Sequence, residues 1–125
     1  MLCLILKIQD ALYALPSDQV DHIFPCPYIE DKKLNYHGEL IDVIDLAVIL
    51  KFRKVSHYNI NTPFIIIKAE KKFGLLVDEL VTVDTAEELG ASKNPIFLGE
   101  LRWQDKKIEL LNATEVFARG KHDNR

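Results

Sequence analysis

Little in this sequence supports covalent, redox or metal chemistry. Cys3 and Cys26 are its two cysteines, far apart and outside any C-x-x-C spacing. A small secreted domain stapled by disulfides uses more, so both read as small apolar fillers in a chain from a reducing compartment. The histidines His22, His37, His57 and His122 fall on separate segments with no HxxxH, HExxH or Cys-His spacing, which argues against a metal site. No phosphate loop, dinucleotide fingerprint or nucleophile elbow occurs, so neither a cofactor nor a catalytic residue is assigned.

A basic excess is missing too. The 16 Lys and Arg are interspersed with 19 Asp and Glu for a net charge of −3, so no cationic stripe can track a phosphate backbone and nucleic acid is excluded as a partner. Long apolar runs are also lacking. Leu2 to Leu6 has no basic region before it and is interrupted by Lys7 and Asp10, which fits neither a signal peptide nor a membrane span. The expected location is the cytoplasm, without membrane insertion.

What the chain does have is enough apolar content, 48% of 125 residues, to form a core without staples. It is arranged as short runs rich in aliphatic and β-branched residues, separated by brief polar links. Strands are expected at 2–8, 11–15, 20–24, 40–46, 64–69, 73–77, 80–83, 96–103 and 108–111. Pro25 and Pro27 stop the third, because proline cannot donate a ladder hydrogen bond. Short helices are expected near 47–52 and 113–118, a polar loop over the junction of two lobes at 54–63, and a disordered tail at 119–125. Strands in such number with so little helix indicate an all-β barrel or sandwich, with residues 1–118 as one domain of two lobes.

Several residues acquire roles from their positions. Gly38 and Gly74 suit a tight corner or a close backbone approach. Asp45 and Asp78 each end a β-branched run, where Asp caps a turn or a helix, and Asp45 directly precedes the expected first helix. The aromatics Phe24, Tyr28, Phe52, Phe64, Phe73 and Phe97 read as core. Trp103, before a polar turn, reads as the surface exception.

The segment Asn35-Tyr36-His37-Gly38-Glu39-Leu40-Ile41-Asp42-Val43-Ile44-Asp45-Leu46 resembles the central signature of the CheW chemotaxis coupling proteins. Phe73-Gly74-Leu75-Leu76-Val77-Asp78-Glu79-Leu80 resembles that family's next element. Tyr13-Ala14-Leu15-Pro16 with Val20 and Ile23 is similar to its opening, and Leu98-Gly99-Glu100-Leu101 followed by Ile108 to Leu111 to its close. The resemblance implies two packed five-stranded SH3-like β-barrels. It also implies a non-catalytic adaptor that joins the cytoplasmic tip of a chemoreceptor, in arrays at the inner membrane, to the regulatory domain of a CheA-type histidine kinase. By the same resemblance Val20, Ile23, Leu80 and Val83 line an apolar receptor-binding groove with His22 and His37 near its rim, the alternative being that the four aliphatics are barrel core. Asn35, Gly38, Asp45, Gly74 and Asp78 belong to structural or interface motifs.

The chain departs from the pattern at His37, where Arg is usual, at Asp42, where Pro is usual, and at Lys32, where Gly is common. The link from Phe24 to Asn35 is also short. A neutral His cannot make the bidentate contacts of Arg, so a different partner, such as a pilus-type or specialised pathway, is the alternative reading. A small-ligand barrel is a weaker one, since Leu, Ile and Val fill the expected interiors.

Overall fold

The structure is a computed structural model and describes residues 1–123. Among them eleven strands, two helices and one 3-10 turn follow in the order β1 (Leu2–Ile8), β2 (Ala11–Pro16), the turn (Ser17–Gln19), β3 (Val20–Pro25), β4 (Lys33–Tyr36), β5 (Glu39–Asp45), α1 (Leu46–Ile49), β6 (Pro63–Lys68), β7 (Lys72–Leu76), β8 (Glu79–Thr85), β9 (Glu87–Gly90), β10 (Phe97–Trp103), β11 (Lys106–Leu111) and α2 (Ala113–Asp123). The chain is all-β. It forms a six-stranded sheet in the order β8-β1-β2-β11-β10-β9 and a five-stranded sheet in the order β3-β6-β7-β5-β4.

Strands β4 and β9 are additions to the expected set, and β9 gives its sheet six strands rather than five. The expected helix at 47–52 is shorter and starts earlier, at Leu46–Ile49. It stops because Lys51 turns to φ 67°, a left-handed conformation that cannot continue the helix. The expected tail is helical through Asp123 as the end of α2, with Gly120 packed so closely on Ile44 that a Cβ would sit 2.5 Å from its Cδ1. Residues 124 and 125 lie outside the described residues.

Local chemistry fixes the tight hairpins. Between β4 and β5, Tyr36 pairs with Glu39 and the two loop residues His37 and Gly38 have φ of 52° and 82°. That is the double left-handed geometry of a type I′ turn, which matches strand twist and which Gly adopts without strain. The Asn35 side-chain oxygen accepts the Gly38 amide at 3.1 Å, closing the corner. Gly74 serves a different need, since a Cβ there would lie 2.2 Å from Phe64 Cζ.

Three apolar clusters follow from strand alternation. Cys3, Ile5, Ala14, Leu101, Ile108 and Leu110 fill the concave side of the six-stranded sheet. Cys26, Ile41, Val43, Phe64, Ile66 and Leu76 fill that of the five-stranded sheet. Between the sheets, Leu4, Leu6 and Ile8 of β1 meet Ile65 and Ile67 of β6, Phe73 and Leu75 of β7, and Leu111 and Val116. Strands β1 and β6 are therefore buried on both faces, which is why LCLILKI and PFIIIK are almost continuously apolar. Cys3 and Cys26 are free and buried.

Candidate functional site

Strands β3 and β8 each end a sheet with one free margin, and each carries a bulge. In β3 the pairing runs Val20 with Ile67, then His22 with Ile66 and Ile23 with Ile65, which leaves Asp21 as the extra residue. In β8, Leu80 pairs with Leu6, then Thr82 with Ile5 and Val83 with Leu4, which leaves Val81 over. Residues three apart on a regular strand face opposite sides. One inserted residue reverses that. Cross-strand partners share a face, so Val20 and Ile23 both stand on the side of Ile65 and Ile67, and Leu80 and Val83 on the side of Leu4 and Leu6. Those partners belong to the cluster between the sheets.

The same four residues grade from buried to open. Val20 and Leu80 pack against the inter-sheet cluster, whereas Ile23 and Val83 are 42% and 55% exposed. Beyond Val83, the exposed Leu2 pairs with Thr85 and prolongs the apolar margin.

The two histidines lie together, but elsewhere. His22 pairs with Ile66, whose side chain belongs to the interior of the five-stranded sheet, so His22 projects from the face of β3 opposite to Val20 and Ile23. There its Nδ1 hydrogen-bonds Tyr36 Oη. Its ring stacks on His37 at 6.3 Å, and Tyr36 lies 4.2 Å from His37. Lys72 sits 5.6 Å above the Tyr36 ring and pairs with Asp21 at 3.2 Å, and this hydrogen bond holds the Asp21 carboxyl below the usual range. The result is an exposed aromatic and imidazole corner on strands β3 and β4.

The motif aspartates converge on one residue that sequence reasoning missed. Asp45 is buried, and its Oδ1 caps α1 by accepting the Ala47 amide at 3.1 Å. Arg53 lies 3.6 Å from Asp45 and donates to Asp78 at 2.8 Å, while the other Asp78 oxygen accepts the Gln9 amide at 2.7 Å. Burial pushes the Asp45 carboxyl above its usual range against the pull of Arg53 and of the Ala47 and His57 amides. One guanidinium thus ties the end of β5, the start of β8 and the β1–β2 turn. Nothing in the spacing of these residues advertised the bridge.

Two departures from the family pattern are absorbed by the structure. Asp42 pairs with Lys33 at 2.6 Å and with Lys121 at 3.2 Å, linking β5 to β4 and to α2. Although its partial burial opposes charge, these ammonium groups keep the Asp42 carboxyl below the usual range. Lys32 has φ 58°, which explains why glycine suits that position. Two aromatic expectations need correcting. Trp103 is buried, with Nε1 donating to Asp84 at 2.9 Å, because Asp84 pairs with Cys3 on the concave side of the sheet. Tyr28, expected in the core, is 83% exposed. It follows Pro27 in the link after β3, where no strand is present to turn it inward.

Two sheets around a shared core, with apolar margins on bulged terminal strands, define a β-rich domain. The comparisons with known proteins give its family. The model of the CheW-like domain matches residues 2–121, and the chain belongs to that family, one of chemotaxis scaffolds. Among solved structures it is similar to the scaffolding protein TtCheW from Thermoanaerobacter tengcongensis, at a TM-score of 0.69 and 20% identity, covering 89% of this chain and 88% of that one. No curated protein sequence matches it. Among the described residues no helix is long and apolar enough to cross a membrane.

Proposed function

We propose that this chain is a non-catalytic adaptor in chemotaxis signalling. It couples the cytoplasmic tip of a chemoreceptor to the regulatory domain of a CheA-type histidine kinase, working in the cytoplasm at receptor arrays. The observation that carries this reading is the pair of bulges that turn Val20 and Ile23, and Leu80 and Val83, toward the side of the inter-sheet core. A receptor tip is a helical hairpin, and a helix docked in a groove takes most of its binding energy from a few apolar anchors. Ile23 and Val83 are accessible for that purpose, while Val20 and Leu80 seat the margin on the core.

The histidine corner supports a second reading, in which the partner differs from that of a typical family member. An imidazole cannot make the bidentate contacts of a guanidinium, and here His37 stacks with His22 and lies tilted against Tyr36.

The test is capture of a receptor tip and of a kinase regulatory domain by the purified chain. Val83→Glu should remain folded and lose receptor capture by at least about tenfold, because a carboxylate buried unpaired in the contact is costly. Normal capture by a folded Val83→Glu protein would eliminate the groove. His37→Arg should strengthen capture of the receptor tip or of the kinase domain if the corner retains the family's partner. Weaker binding would favour the second reading.

A further inference from the structure

A cleft of about 680 Å³ lies between α1, the segment that follows it, and α2, and shares no residue with the margins of β3 and β8. Its floor is aliphatic, from Val43, Ile44 and Ile49, and its lip carries Val55, which is 76% exposed. Its rim is cationic. Lys32, Lys51 and Lys54 all line it, and among the described residues none of the three has an ion-pair partner within 4.0 Å. The remaining charges of the lining are Arg53 and Asp45, and Arg53 is already shared between Asp45 and Asp78. Three unpaired ammonium groups therefore ring an apolar floor in a chain whose net charge is −3.

The backbone holds two of these lysines in place at some cost. Lys32 and Lys51 have φ of 58° and 67°, a region unfavourable to a residue with a side chain. The Lys32 carbonyl accepts the Val43 amide at 2.9 Å, and the Lys51 amide donates to Val48 at 3.1 Å. Lys32 holds this conformation as the second residue of the turn bridged by Glu30 and Lys33, beside Asp31 at φ 54°, and Lys51 as the residue that ends α1.

Shape and composition narrow the ligand. No aromatic side chain lines the cleft, so it offers no stacking partner for a base or sugar ring. A second cleft shares Ile49 and Lys51 with it and runs on to Glu115, Ala118 and Arg119 of α2, where Glu115 and Arg119 pair with each other and leave Lys51 as its uncompensated charge on the α1 side. An elongated, half-open trough suits a length of chain better than a compact molecule, and its charge asks for carboxylates on both sides of an aliphatic side chain. We propose that this trough docks an acidic, leucine-bearing segment of a partner protein, independently of the receptor and kinase contacts.

Fluorescence anisotropy with the full chain tests this. The probe is a labelled peptide of alternating Glu-Glu-Leu-Leu, about four helical turns long. Saturable binding is expected, weakened by salt through screening. The double variant Lys51→Glu, Lys54→Glu should weaken it at least about tenfold, since like charge replaces opposite charge. The control Lys93→Glu, Lys106→Glu, at lysines that among the described residues also have no ion pair, should leave it unchanged. Should the first variant fail to fold, amide shift mapping on the unaltered chain decides, with perturbation expected at Val43, Val48 and Val55. Equal binding of oligoglutamate would reduce the site to bare charge. Displacement of the peptide by octanoate at equal affinity would make it a small-anion site, and self-association lost in the double variant would make the occupant a second copy. Any of these outcomes, or no binding, overturns the proposal.

Discussion

Strands β1 and β6 run through the middle of the molecule, and β3 and β8 lie beside them at the sheet margins. All four carry aliphatic side chains, yet these serve different ends. The central pair is buried on both faces over residues 3–6 and 64–67, so those side chains are committed to packing. The marginal pair has one neighbour each and a bulge each, so part of its apolar surface remains open. An aliphatic side chain is thus buried or left open according to whether a second strand covers it.

The sharpest way to break this comparison is to cut one aliphatic from each class. Ile65→Ala, at a fully buried position of β6, should destabilise the fold by about 2–5 kcal/mol in urea titration, through lost burial and a residual cavity. Val83→Ala on β8 should cost under about 1 kcal/mol, because its side chain is already mostly solvated. Equal losses would place Val83 in the core and remove the distinction.

The opposite margin of the five-stranded sheet sharpens the contrast. Strand β4 carries no bulge and is fastened through Asp42 to Lys33, with Lys121 of α2 on the other oxygen. Its folded carboxyl titrates below the unfolded value of about 3.9. The bridge therefore stabilises the fold above that pH, and the contribution is lost as pH falls through the lower, folded pKa. Asp42→Asn should be less stable than the parent at pH 7 and show a flatter decline below about pH 4, measured by thermal melts across pH. Parallel curves would mean that the bridge contributes nothing.

The smallest effect expected is at Lys32, beside the same margin. Replacing a left-handed lysine by glycine relieves a strain of about 1–2 kcal/mol and adds unfolded-chain freedom that offsets part of it. Lys32→Gly should therefore raise stability by about 0.5 kcal/mol, visible as a small rise in the urea midpoint. A loss would mean that contacts of the lysine stem outweigh the strain.

Much of this architecture was legible because burial on two faces writes an unmistakable sequence. β1, β6 and the strand containing Val43 and Ile44 could be read directly, as could a tight corner at Gly38. β4 and β9 could not. Each is a four-residue strand; β4 offers only Leu34 and Tyr36 as an apolar alternation, and in β9 Glu87, Glu88, Leu89 and Gly90 are all exposed. The bulges were hidden because Asp21 and Val81 look like ordinary strand residues, and only pairing reveals which one is extra. Without them the three-residue spacings 20/23 and 80/83 suggest opposite faces. Arg53 lies in a polar stretch far from Asp78 in sequence, and its bridging role depends on the sheets having assembled. The last turn of α2 was misread as tail because Arg119, Lys121 and His122 give it a polar surface, while its packing rests on a glycine that lets Ile44 approach.

The parallel pairing of β2 with β11, where Tyr13 meets Glu109, has a consequence for synthesis. The strands of the five-stranded sheet are contiguous, from Val20 to Leu76, so they can pair while later residues are still being translated. The first hairpin has no such freedom. Between its emergence and that of β11, β2 has one flank unpaired, and closing this contact spans nearly the whole described chain, the kind of non-local step that slows folding. During that interval the exposed flank invites pairing with another chain. The sheet that contains β1 and β2 therefore depends on the pairing with the greatest separation along the chain.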